Sequence, residues 1–169
     1  MPEKINVRMV MIDLDGTLIN TAPDLADCVN IMLERMGRDP WPLDKVSGWI
    51  GNGVSRLVKR ALIDSIDGEP DSDDYEKAYA LFLEAYGENV SAKSRPYEGV
   101  VAGLEKLKNM GFRLACVTNK AEAFTLPLLA DLELDGHFEL VLSGDSLPRK
   151  KPDPLPSTHA CEYFGITPD

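Results

Sequence analysis

Two aspartates, Asp13 and Asp15, stand one residue apart where the apolar run of "VRMVMIDLDGTLIN" (residues 7–20) gives out. Carboxylates this close repel, and one tends to stay protonated unless a cation offsets them. Mg²⁺ is well suited to that role, being hard, oxygen-preferring and satisfied by one or two carboxylates, waters and phosphate oxygens. Asp13 can then attack phosphorus as a carboxylate nucleophile, forming an acyl phosphate. Asp15 can protonate the leaving oxygen and afterwards help a water attack the intermediate. Gly16 permits the tight turn that follows.

Two further polar marks follow other apolar runs: Thr118-Asn119 in "LACVTNK" and Lys150-Lys151 in "KKPDP". Thr118, Asn119 and Lys151 are placed to bind phosphoryl oxygens, the lysine bringing positive charge to an acidic chain. A DxD pair alone is as often a turn with a helix cap. The three strings together and in this order are far more specific.

These residues need a scaffold. Val7 to Ile12 lacks alternation, which suits a strand buried on both faces of a parallel sheet. A helix follows, with Thr21 as its cap, Asp24 in a capping-box position, Pro23 in its first turn and Gly37 as its stop. Leu25, Cys28, Val29, Met32, Leu33 and Met36 form its apolar stripe. Residues 40–95 show no strand-like run. They read as a short helix, the turn Gly51-Asn52-Gly53, a helix carrying Leu57, Val58 and Leu62, and a solvated acidic loop "DGEPDSDD". A helix with Tyr75, Tyr79, Phe82 and Tyr86 on its inner side and a return linker "SAKSRPYEG" complete the insert. Strand and helix then alternate: a helix over 100–110, the strand "FRLACVT", a helix over 121–134 that Pro127 should kink or shorten, and the strand "FELVLSG". A last helix is expected with Asp153 as cap and Pro154 at its first position. The pattern predicts an α/β fold of Rossmann type, a parallel sheet flanked by helices, with a small helical insert. Residues 1–20 and 96–169 would form the core domain and residues 21–95 the helical cap. Ligands of such sheets bind beyond the carboxyl ends of the strands, where all three polar marks fall.

With 169 residues, 44% of them hydrophobic, the chain can bury one core and a smaller insert. A net charge of −10 argues against nucleic acid as partner. The three cysteines are odd in number and form no CxxC pair, so a reducing cytoplasm is expected, with Cys116 an inert strand residue. The two histidines are too few and too far apart for zinc, and His159 reads as a helix-surface residue. The N-terminal apolar run is too short for a signal peptide or membrane span. Oligomeric state is not legible.

"MIDLDGTL", "LACVTNK" and "KKPDP" resemble the first three motifs of the haloacid dehalogenase-like phosphatase superfamily, and the resemblance covers essentially the whole chain. The stretches "WIGNGVSRLVKRAL", "NKAEAFTLPLLADL" and "SGDSLPRKKPDP" are most similar to its phosphoglycolate phosphatase branch. The resemblance implies a Mg²⁺-dependent phosphomonoesterase acting on a small phosphorylated metabolite, 2-phosphoglycolate. It makes Asp13 nucleophile and metal ligand, Asp15 acid/base and ligand through its carbonyl, and Thr118 and Lys151 phosphate-binding residues. The cap must read the leaving group: Gly51, Asn52 and Gly53 can approach it closely, and Arg56 or Lys59 can pair with its carboxylate. A sugar-phosphate phosphatase or phosphoglucomutase would share these motifs. A phospho-accepting signalling receiver also uses aspartate and Mg²⁺, but has no use for the helical insert. The family's fourth motif, GDSxxD, follows the lysine on a further strand, whereas this sequence reaches "GITPD" there. The "GDS" at 144–146 precedes the lysine and has Arg149 where an aspartate would be needed. The expectation is therefore that C-terminal strands are missing and the first strand's edge is uncovered. Mg²⁺ binding and turnover would be weak, with Asp145 and Asp153 the next candidate ligands.

Overall fold

A computed structural model describes residues 7–167, so the readings that fall on residues 1–6 and 168–169 lie outside it. The first strand, β1 (Met9–Ile12), leads into a tight turn and a short strand β2 (Ile19–Asn20). Four helices of the insert follow: α1 (Ala22–Arg35), α2 (Leu43–Ser47), α3 (Val54–Ile63) and α4 (Ser72–Glu88). The chain returns through β3 (Arg95–Pro96), which pairs antiparallel with β2, Ile19 opposite Pro96 and Asn20 opposite Arg95. Then come α5 (Val100–Asn109), β4 (Arg113–Val117), α6 (Glu122–Asp131), β5 (Leu140–Leu142) and α7 (Leu155–Phe164).

β1, β4 and β5 form a parallel sheet in that order. Successive side chains of a strand point to opposite faces. Leu114 and Cys116 of β4 therefore join a core with Leu14, Ile19, Leu104, Leu128 and Leu134, while Ala115 and Val117 pack with Leu142 and Ala160 on the other side. Burial on both faces holds for β4, whereas β1 is only half-buried with Met11 39% exposed, so the expectation of a first strand buried on both faces is not met: among the described residues β1 has a strand neighbour on one side only. The insert helices bury a separate cluster that includes Leu25, Met32, Val46, Leu57 and Phe82. Among the described residues β1 pairs only with β4, and no helix is long and apolar enough to cross a membrane.

The start of α1 departs from the expectation. Thr21 makes no capping bond, and its hydroxyl is buried without a partner. Asp24 turns instead to the return linker, accepting hydrogen bonds from the backbone N–H groups of Lys93 and Ser94 and from the Ser94 hydroxyl. The linker offers three donors to one buried carboxylate, which outcompetes a local cap. Gly37 does end α1: at φ 70° it lets Arg38 N–H reach back to Leu33 O at 2.9 Å. Pro127 stays inside α6, which ends at Asp131, short of the expected 134. Pro154 is the N-cap of α7 rather than its first residue, and Asp153 still caps by accepting from Leu155 N–H at 2.9 Å. The acidic loop is not merely solvated. Asp71 caps α4, and Glu69 pairs with Lys59 and Arg56.

Candidate active site

Each strand of the parallel sheet ends at a polar residue: β1 at Asp13, β4 at Thr118, β5 at Ser143. Ile12 lies opposite Cys116 in the register, which sets Asp13 beside the end of β4. Gly16, at φ 75°, lets the chain double back so that its N–H meets Ile19 O at 2.9 Å. A side chain would be strained there. This turn presents Asp13 and Asp15 at the same edge.

The two carboxylates are each given their own ammonium. Lys151 Nζ lies 2.8 Å from Asp13 Oδ1, the oxygen that also accepts Leu14 N–H at 2.8 Å. Lys120 Nζ lies 3.0 Å and 3.3 Å from the two oxygens of Asp15. The settings differ: the Asp13 side chain is 38% exposed and that of Asp15 only 14%, while Lys120 is buried with 2% of its side chain accessible. Repulsion between the carboxylates is thus offset locally by two cations in a chain of net charge −10. An open carboxylate beside a lysine suits attack on an incoming phosphoryl group. An enclosed one suits proton exchange with whatever sits above it.

Sequence reasoning misses Lys120, although it stands in the "TNK" string. The available signal is that a lysine directly after a buried strand is almost never fully buried unless it is paired. Its ammonium also sits 4.8 Å from the centroid of the Tyr86 ring on α4. Tyr86 lies in the insert core as expected and also reaches the loop after β4, its ring centroid 4.9 Å from that of Phe124 on α6 at a tilted angle. Burial, then the nearby Asp15, pushes its phenol well above the ordinary range.

Thr118 is buried, and its hydroxyl accepts the Lys120 N–H at 3.2 Å. Asn119 ties three segments together: its amide donates to Gly51 O at 3.2 Å and to Lys151 O at 3.1 Å. Its side-chain oxygen is buried without a partner. Lys150 Nζ donates to Asn52 O at 3.3 Å, so the Gly51-Asn52-Gly53 turn rests directly on the sheet's loops. Asp15 and Lys120 form the polar end of a cavity of about 20 Å³ walled by Leu25, Ile50, Gly53 and Leu57, room for about one water. Arg56 does not line it. With Lys59, Arg56 points to Glu69 on the exposed side of α3.

Asp145 is occupied as the cap of α6, accepting Glu122 N–H at 2.8 Å, and Asp153 caps α7 and pairs with Arg149. Among the described residues no cluster of three or more His, Cys, Asp or Glu side chains converges. Among the oxygens available to a cation are the second carboxylate oxygen of Asp13, which accepts no hydrogen bond among the described residues, and the Asp15 carbonyl, likewise free of one. Two such oxygens fit Mg²⁺, which usually completes its shell with waters and substrate phosphate. Cys116, behind Asp13, is held as a thiol, its pKa pushed up to about 12 chiefly by burial.

Residues 10–169 match the family model described as haloacid dehalogenase-like hydrolase. Proteins named phosphoglycolate phosphatase from Thiobacillus denitrificans and Nitrosospira multiformis are 55% and 54% identical over 162 residues, covering 96% of this chain and 71% of each of theirs. The solved structure of a predicted phosphoglycolate phosphatase from Haemophilus somnus 129pt superposes with a TM-score of 0.87 at 37% identity, over 95% of this chain and 72% of that one. The family model spans nearly the whole chain and the relatives exceed half identity, so the chain belongs to the haloacid dehalogenase-like hydrolases.

Proposed function

We propose that this protein is a Mg²⁺-dependent phosphomonoesterase of the cytoplasm whose substrate is 2-phosphoglycolate. The observation that carries the reading is the pair of carboxylates with separate lysines, one open and one enclosed, at the carboxyl end of a parallel sheet. The substrate choice is supported by the names of the relatives that cover most of the chain.

In this mechanism Asp13 attacks phosphorus while Asp15 gives its proton to the departing alkoxide oxygen, so that the P–O bond breaks as the aspartyl phosphate forms. A water then attacks that phosphorus, Asp15 takes its proton, and the Asp13 carboxylate is restored. Lys151, Thr118 and Asn119 bind the transferring phosphoryl oxygens, the lysine balancing the charge that gathers on them. Asp13 and the Asp15 carbonyl would hold Mg²⁺, which supplies further positive charge at those oxygens. Residues 21–95 act as a cap whose Gly51-Asn52-Gly53 turn closes over the leaving group. The test is phosphate release by the complete gene product across 2-phosphoglycolate, hexose phosphates and an aryl phosphate, with and without Mg²⁺. Highest kcat/KM for 2-phosphoglycolate supports the proposal, and preference for a hexose phosphate would reassign the substrate.

A further inference from the structure

Lys120 is held more tightly than a phosphate-binding residue requires, and it faces Asp15 rather than Asp13. Its backbone is fixed at both ends: the N–H by Thr118 Oγ1 at 3.2 Å, the carbonyl by Gly144 N–H at 2.7 Å and the Thr125 hydroxyl at 3.2 Å. Its ammonium contacts both oxygens of Asp15, which sets the plane of that carboxylate as well as its charge. The ammonium also lies over the Tyr86 ring, 4.8 Å from its centroid, and Tyr86 is a residue of the insert rather than of the sheet. An ammonium is stripped of water here only because a carboxylate and an aromatic face replace that water.

From this geometry we infer that Lys120 is a positioning residue: it aims the Asp15 carboxylate into the cavity under the cap, and Tyr86 completes its cage only when the insert is docked. The inference rests on the hydrolytic reading above. Thr118 and Lys151 serve the phosphoryl group, whereas Lys120 acts only through Asp15, on the proton given to the leaving oxygen and then on the proton taken from the attacking water. In the first of these steps its importance scales with how badly the leaving oxygen needs a proton. An alkoxide needs one, and a nitrophenolate scarcely does.

The experiment pairs Lys120→Met with Asp15→Asn in the complete gene product, singly and together, on an alkyl phosphate (2-phosphoglycolate) and an aryl phosphate (p-nitrophenyl phosphate). Lys120→Met is expected to lower the single-turnover rate of Asp13 phosphorylation by the alkyl ester by about 10²-fold, the scale of a lost general acid, with a much smaller loss for the aryl ester, and to slow the water attack common to both. Added to Asp15→Asn it should cost nothing more. Thermal melting gives a reading that needs no turnover. Lys120→Met alone strands a carboxylate in the cavity wall and lowers the melting temperature, and the double variant regains part of the loss because no charge is left unpaired. Should Lys120→Met not fold, the double variant and Tyr86→Leu carry the comparison, Tyr86→Leu showing the same alkyl-selective loss and Tyr86→Phe little of it. Equal losses of the phosphorylation rate on both esters, or additive effects in the double variant, would overturn the inference. A loss confined to carboxylate-bearing substrates, whatever their leaving group, would overturn it too, making Lys120 a substrate-binding residue. If the unmodified protein releases phosphate from neither ester, the hydrolytic reading fails, and the melting comparison still decides whether Lys120 and Asp15 act as a pair.

Discussion

Asp24 is the residue whose loss should disturb the architecture most. Its side chain is buried at 1% exposure, yet among the described residues it makes no ion pair. Its oxygens accept Lys93 N–H at 2.8 Å, Ser94 N–H at 2.6 Å and the Ser94 hydroxyl at 2.6 Å, binding α1 to the return linker one residue before β3. In Asp24→Ala those donors lose their acceptor in a site that water does not reach. A buried polar group left without a partner costs about 1–3 kcal/mol. The hydroxyl can re-aim and the two amides cannot, so the variant should lose about 3–5 kcal/mol. At this chain length 1 kcal/mol moves Tm by about 2–4 °C, which gives a drop of roughly 10 °C. Asp24→Asn keeps one acceptor oxygen but gives up the charge assistance, and about half that loss is expected. Calorimetry and urea unfolding followed by circular dichroism measure both. A Tm for Asp24→Ala within a degree or two of the parent would refute the reasoning, because it would mean that the linker amides find other partners.

Gly144→Ala should cost about 1–3 kcal/mol and misplace Asn119, since a Cβ there would lie 2.3 Å from Asn119 O. Melting together with kcat on 2-phosphoglycolate would register both effects. Cys28 and Cys116 should resist alkylation at pH 8 until the protein unfolds, because burial pushes both thiols up to about 12. The same shift has a signed consequence for Cys28. Below its ordinary value of 9.0 the thiol is protonated in both states, and above it only the unfolded chain ionises until about pH 12, so stability falls across that window. Cys28→Ala should flatten the decline, as seen in urea midpoints against pH. Lys151→Ala should lower kcat on every phosphate ester by about 10²-fold or more, whereas Arg56→Ala, whose partner Glu69 is exposed, should leave KM for 2-phosphoglycolate near its parent value. Steady-state kinetics on the two variants separate them.

The strand ends are legible in the sequence because their signals are local. An apolar run that stops at Asp13 or Thr118 marks both the strand and the residue it presents, and the turn glycine at 16 adds a conformation few other residues adopt. Longer-range pairings are not legible. Asp24 has the spacing of a capping box, but its donors come from 69 and 70 residues along the chain. Lys120 meets Asp15 across 105 residues, and its cation–π partner belongs to another helix. Arg56 looks free for a substrate carboxylate because Glu69 sits in a loop whose path composition does not reveal. Local chemistry can be read from spacing. The partner that offsets a buried charge becomes visible only with the fold.

The role of Asp13 can be tested directly by trapping. The complete gene product is mixed with 2-phosphoglycolate and Mg²⁺, quenched in acid, reduced with borohydride and digested. An acyl phosphate on Asp13 is reduced to homoserine, so the peptide containing residues 9–20 should carry that mass change at position 13, and Asp13→Asn should show neither the change nor turnover. Modification at Asp15 instead, or substantial phosphate release by Asp13→Asn, would contradict the assignment of the nucleophile.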